Sequence, residues 1–279
     1  MNGPFLSEEQ FLADLARPVK SAEELRLWWL GQSGFLVRHG GSLLALDPYL
    51  SDSLTRKYEG TDKPHVRMTE RVIAPERLTG IAVATSSHNH TDHLDSETLN
   101  PLRAANPQMD LVIPEANRTF VAARLGCDEA WPIGLDDGCS VVVAGWQFTG
   151  IAAAHNTFET DEAGRHRFLG VIIRRGPWTL YHSGDTLLYP GLAEKLADFA
   201  VDVAMVPING NDPARRVAGN LDGREAARLA HDIAARVAVP HHFGMFEFNT
   251  ADPRSLFIPE CECLGQPYRV LRAGEGFAP

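Results

Sequence analysis

The chain has 279 residues, 44% of them hydrophobic and 22% charged, the make-up of a globular protein with a sizeable buried core. Thirty-six acidic against twenty-six basic side chains leave a net charge of −10 with histidine neutral, which argues against a nucleic-acid-binding or anionic-membrane surface. Four cysteines are too few at this length for a disulfide framework, and no segment reaches the roughly 18 uncharged apolar residues of a membrane span.

The first twenty residues lack a basic stretch followed by an apolar one, so no targeting signal is read there and the expected address is the cytoplasm. Ser7-Glu8-Glu9-Gln10 has the capping-box pattern and predicts a helix to about Ala16. Apolar runs of strand length follow at 27–30, 34–37 and 42–46, punctuated by Gly31, Gly40 and Gly41 and ending at Asp47-Pro48. Residues 51–75 are polar and irregular and read as a long loop. A short buried strand at 81–85 runs into a histidine-rich segment, then a helix near 96–105, a strand at 111–113 and a helix over 115–125. Further strands are expected near 140–143, 146–153, 168–174, 178–182, 201–206 and 237–239, with a helix over 191–199. A second capping box, Asp222 with Glu225, opens a helix to about Arg236. The alternation suits a layered α/β protein with sheets inside and helices outside. No composition break or repeat divides the chain, so one domain over 1–279 is expected. Cys261-Glu262-Cys263 lacks the second pair of a zinc ribbon and reads as structural.

The chemistry concentrates in Ser86-Ser87-His88-Asn89-His90-Thr91-Asp92-His93-Leu94-Asp95, directly after a buried strand. Strand ends are where α/β proteins present ligands. An H-x-H pair on a tight turn can grip one cation, and Asp92 with His93 can face a second. Nitrogen plus carboxylate suits zinc, manganese or iron. A solvated, merely histidine-rich loop is the competing reading. Further ligands stand at later strand ends: His155 after 148–154, Asp185 in Ser183-Gly184-Asp185, and one of His241 and His242.

Taken together, the order strand, H-x-H-x-D-H, His, Gly-Asp and late His resembles the metallo-β-lactamase fold superfamily. Trp28-Trp29-Leu30-Gly31, Leu46-Asp47-Pro48-Tyr49, Ser183-Gly184-Asp185-Thr186, Pro207-Ile208-Asn209-Gly210, Pro240-His241-His242-Phe243 and Ala251-Asp252-Pro253 are similar to the branch containing L-ascorbate-6-phosphate lactonase. The resemblance implies a four-layer αβ/βα sandwich of two mixed sheets flanked by helices, with metals in the groove between them. It implies His88, His90 and His155 on one cation, Asp92, His93 and His242 on a second, and Asp185 bridging both. One or two divalent ions, Mn2+ or Zn2+, are implied as cofactors, as is a homo-oligomer.

The activity implied is opening of a sugar-acid or sugar-acid-phosphate lactone by a hydroxide shared between the cations, with Asp92 or Asp185 moving the proton. Asp47 is expected to orient a ligand histidine or its loop. Asp95 is expected to cap the helix at Ser96. His182 is read as a packed core histidine, and His39, His65, His166 and His231 as surface residues. An anionic small-molecule substrate needs cations, and Arg56, Arg67 and Arg215 are the candidate contacts, with Lys57 and Arg216 beside them. The competing activities are a lipid or nucleotide phosphodiesterase on the same ligands and a non-enzymatic metal-stabilised binding protein.

Overall fold

The computed structural model describes residues 1–279. One sheet is built from β1 (Leu25–Gly31), β2 (Gly34–His39), β3 (Ser42–Leu46), β4 (Ile81–Thr85), β5 (Asp110–Pro114) and β6 (Ile133–Leu135), laid side by side in that order. The second contains β7 (Ser140–Val143), β8 (Trp146–Ala152), β9 (Leu169–Arg175), β10 (Trp178–His182), β11 (Val203–Pro207) and β12 (Val237–His241), again in sequence order across the sheet. A short late strand, β13 (Gly276–Phe277), returns to pair with β1. Both sheets are mixed: hairpins join β1 to β3 and β7 to β10, and parallel pairs continue from β3 to β6 and from β10 to β12.

Side-chain alternation produces the layers. Along β11, Val203 and Met205 enter the core shared by the two sheets, whereas Ala204 and Val206 pack on the helical side. Val171 and Ile173 alternate with Ile172 in the same way, and Val239 with Ala238. A period of two with both faces apolar is what a strand covered on each side requires. The helices α5 (Leu192–Ala197), α6 (Gly223–Asp232) and α7 (Phe257–Leu264) cover the second sheet, with Leu192, Leu229 and Phe257 buried against it. On the first sheet, α1 (Glu8–Leu15), α3 (Ser96–Ala105) and α4 (Arg118–Leu125) contribute Phe11, Leu99 and Val121. The result is the helix–sheet–sheet–helix sandwich expected.

Both capping boxes form, with Ser7 against Gln10 and Asp222 against Glu225. Several boundaries move for local reasons. The helix expected over 115–125 is a single 3-10 turn, Glu115–Asn117, followed by α4. The α6 helix stops short of Arg236 because Ala234 turns left-handed (φ 52°) and the Arg236 N–H is taken by Val201 O as the chain enters β12. Inside the 51–75 loop a short helix, α2 (Ser53–Lys57), forms on the rim. Asp95 stands at the start of α3, but its carboxylate accepts from the hydroxyls of Thr98 (2.6 Å) and Ser53 (2.9 Å) rather than from a backbone N–H. The helix α7 and the strands β6 and β13 were not anticipated. No helix is long and apolar enough to cross a membrane.

Strand direction positions the chemistry. Strands β1, β3 and β4 run the same way in one sheet, as do β8, β10 and β12 in the other, so their carboxyl ends gather on one rim. Phe148 lies on β8 with 0% exposure in the core between the sheets. Phe148→Ala is expected to destabilise the protein by about 3–5 kcal/mol, read as a lowered urea midpoint at unchanged slope; a loss below about 1 kcal/mol would contradict this packing.

Candidate metal centre

The loop after β4 supplies His88, His90, Asp92 and His93, the segments after β8 and β10 supply His155 and Asp185, and the residue after β12 is His242. Three groups of potential ligand atoms converge there, each within 4.8 Å: His88, His90 and His155; His88, His93 and Asp185; and Asp92, His93 and His242. Asp185 stands between them, with Oδ1 3.4 Å from His93 Nε2 and Oδ2 3.3 Å from His242 Nε2 and 3.7 Å from His155 Nε2. Its loop passes so close to the histidine loop that a Cβ on Gly184 would sit 2.7 Å from Ser87 Cβ, and Gly184 is left-handed at φ 56°. Only glycine fits both demands.

Asp47 lies beneath this floor with 0% exposure and left-handed backbone (φ 38°). Its carboxylate is saturated with partners. Oδ1 accepts from Thr85 Oγ1 at 2.8 Å and from the Ser87 N–H at 3.1 Å, and Oδ2 accepts from the Ser87 hydroxyl and lies 2.7 Å from His93 Nδ1. Burial raises its pKa, but the His93 hydrogen bond and the His182 and His93 charges outweigh that and hold it below the ordinary carboxylate value. With Nδ1 committed to Asp47, His93 presents Nε2 to the centre. His155 is held likewise, its Nδ1 2.8 Å from Gly219 O.

The residues fit a divalent ion. His88 Nε2, His93 Nε2 and Asp185 Oδ1 are buried without a hydrogen-bond partner, where buried polar atoms are normally paired. A cation would be a partner common to all three. Burial pushes His88 well below and His155 below the usual imidazole range, and His90 down to about 4, so these three keep their lone pairs free at neutral pH. At His93 burial acts the same way, but the Asp185 and Asp92 carboxylates outweigh it and raise its pKa, so a cation there displaces a proton. Five imidazoles and two carboxylates suit zinc, manganese or iron, and no cysteine approaches.

Of the adjacent histidines after β12, His242 faces Asp92 and Asp185, whereas His241 is fully buried and stacked on His182 at 5.2 Å. His182 Nε2 donates to Ser33 O in the core at 2.8 Å. Among the histidines expected on the surface, only His231 is exposed. His39 is buried beside Trp146, His166 is half-buried facing Asp136, and His65 stacks on Tyr58 at 4.4 Å on the wall of the cleft.

That cleft encloses about 390 Å³ above the ligands, and its walls carry Lys57, Lys63, Arg124 and Arg216. The arginines expected as substrate contacts fall elsewhere. Arg56 pairs with Glu97 on the exposed rim. Arg67 is buried, spending its donors on Asp52 (2.7 Å), Ser51 O and Thr69 O. Arg215 bonds Asn249 Oδ1 at 2.8 Å and Asn209 O at 2.6 Å. Sequence reasoning passed over Arg124 and Lys63. Arg124 is on the second helix turn of a distant element, and nothing local to it signals that α4 ends against the histidine loop.

A family model described as the beta-lactamase superfamily domain matches residues 46–243, from the end of β3 through the last candidate ligand. The chain belongs to the metallo-β-lactamase superfamily. A protein of Aeropyrum pernix named metal-dependent hydrolase is 26% identical over 90% of this chain and 96% of its own length. One of the same name from an Anaeromyxobacter species is 29% identical over 86% of this chain and 82% of its own. Among solved structures, Igni18, a metallo hydrolase of Ignicoccus hospitalis, superposes with a TM-score of 0.66 at 22% identity, covering 91% of this chain and 98% of that one. The two mixed sheets flanked by helices agree with that membership.

Asp47→Asn keeps the shape and removes the charge beneath His93. Metal affinity is expected to fall about 10–100-fold, measured by competition with a chromophoric chelator on folded protein; unchanged affinity would remove Asp47 from this role.

Proposed function

We propose that this protein is a metal-dependent hydrolase that opens a lactone of a small anionic molecule, a sugar acid or its phosphate. The observation that carries the reading is a cleft that five of the seven candidate ligands line, His90, Asp92, His155, Asp185 and His242, with His88 and His93 buried behind them and cations on its walls. His88, His90 and His155 would hold one ion, and Asp92, His93 and His242 the other, with Asp185 shared. When bound, two divalent ions supply Lewis acidity and an activated water.

The protein's own groups supply the rest. Lys57 Nζ reaches only Thr91 Oγ1 (3.2 Å), and Arg124 reaches only the carbonyls of Asn89 (2.6 Å) and Leu94 (3.3 Å). Neither is paired with a carboxylate, so both leave positive charge facing the cleft, suited to a phosphate or carboxylate. Arg216 differs, being tied to Asp62 at 2.5 Å. The Asp92 side chain is 15% exposed and that of Asp185 only 3%, so Asp92 is the carboxylate a leaving alkoxide can reach and the one assigned to proton delivery. The walls are predominantly polar, which supports a small polar substrate over a lipid tail.

Turnover of a panel of neutral lactones, phosphorylated or carboxylated lactones and phosphodiesters tests the reading. Lactone opening is expected, lost on chelation and restored by Mn2+ or Zn2+. Asp185→Ala is expected to lower kcat by at least about 100-fold with loss of bound metal. Hydrolysis that survives complete metal removal would refute the mechanism, and cleavage of phosphodiesters alone would reassign the bond. Lys57→Ala is expected to raise KM for a phosphorylated lactone about tenfold, the worth of one charge-assisted hydrogen bond, and to leave a neutral lactone unaffected.

A further inference from the structure

A glutamine outside the seven-residue set reaches into the centre. Gln32 lies in the turn between β1 and β2, and only 1% of it is exposed. Its side-chain Nε2 donates to Asp92 Oδ2 at 2.9 Å and lies 3.1 Å from His242 Nε2 and 3.4 Å from His242 Nδ1. Those are side chains offered to the second cation. The other end of the carboxamide, Oε1, is buried and has no partner. An orphaned amide oxygen so close to a cluster of metal-ligating atoms is costly unless something positive completes it.

The backbone holds this residue in place. Gln32 is left-handed at φ 50°, an uncommon state for a residue with a side chain. Its carbonyl accepts from the Trp29 indole N–H at 3.0 Å and from the His242 N–H at 2.9 Å. His242 is itself left-handed at φ 61°. Two strained residues thus lock each other, the arrangement expected where position is maintained for a purpose. A half-turn about the last side-chain bond exchanges Nε2 and Oε1 without moving the backbone. It replaces an N–H facing Asp92 by an oxygen facing the same space.

We infer that Gln32 is an additional ligand residue of the second cation, giving it Oε1 alongside Asp92, His93 and His242, and that the amide Nε2 holds Asp92 and His242 in position when that cation is absent. Oxygen from an amide is a normal donor to a hard or borderline divalent ion. The inference rests on the metal-dependent reading above. It goes beyond it by adding an amide oxygen to the donors of the second position, where Gln32 contacts Asp92 and His242.

Cobalt alone is the probe. Metal-free full-length protein is titrated with Co2+, followed by calorimetry and by visible absorption, which reports the ligand field without any turnover. Wild-type protein is expected to show two binding events. Gln32→Asn keeps the amide, tolerates the left-handed backbone and withdraws the oxygen by one methylene. It is expected to weaken one event at least about tenfold and alter its absorption, with the other event unchanged. Gln32→Glu is expected to restore or tighten the weakened event, since it returns an oxygen to the same reach. Two events of wild-type affinity and spectrum in Gln32→Asn would overturn the inference while leaving the metal centre intact. Gln32→Glu binding more weakly than Gln32→Asn would also overturn it, because that is the outcome if Gln32 serves only as an N–H donor to Asp92. Absence of any cobalt uptake by the wild-type protein would overturn both this inference and the metal-dependent reading.

Discussion

A carboxylate with no access to water has to be surrounded by donors, and at Asp47 that requirement organises the rim. Its partners come from the end of β4 (Thr85), from the backbone and hydroxyl of Ser87, and from His93. Removing His93, the one partner that can carry charge, costs about 3–5 kcal/mol because the buried carboxylate is left uncompensated. The end of β3, the first turn of the histidine loop and the tautomer of His93 are therefore a single choice. With that loop fixed, His88 and His90 have one direction to face, and the later strands need only bring His155, Asp185 and His242 up to them.

The parts legible in the sequence were those with short-range signatures. Strand-length apolar runs, two capping boxes and the string from His88 to His93 each declare themselves within a few residues. The carboxyl ends of strands were recognisable as a class, which is why Asp47, His155, Asp185 and the His241-His242 pair were singled out, with the family resemblance choosing His242, although up to 195 positions separate the first and last. Of the cleft's cations, Lys57 and Arg216 were among the sequence candidates, whereas Lys63 and Arg124 were not legible. Arg67 and Arg215 sit in irregular polar segments as substrate contacts often do, yet Arg67 is consumed by Asp52 and neighbouring carbonyls and Arg215 by Asn249 and Asn209 O. Arg124 lies on a helix with the look of an ordinary surface residue. Which arginine faces a cleft depends on how helices end against loops, and no local pattern encodes that. Gln32 carried a weak signal, a long polar residue beside Ser33 between Gly31 and Gly34 in an otherwise apolar hairpin.

Net charge and local charge part company in this molecule. The chain as a whole is at −10, but Lys57 and Arg124 face the cleft without carboxylate partners, and any bound divalent ions add to them. The body is acidic overall, and Lys57 and Arg124 mark one face of it that carries unpaired positive charge.

The candidate ligands follow the carboxyl ends of strands, whereas much of the cleft wall stands on loops farther from them: Lys63 and His65 before β4, and Arg216, Val217 and Ala218 between β11 and α6. These two sets have different mutational freedom. A strand end is anchored by its ladder and by the core behind it, so exchanging a ligand disturbs packing as well as chemistry. A loop residue can be exchanged, and the loop lengthened, at little thermodynamic cost. Selection can therefore rewrite what enters the cleft many times over while the reaction performed at its floor is inherited unchanged, and divergence among such proteins is expected to accumulate first in whom they serve and only later in what they do.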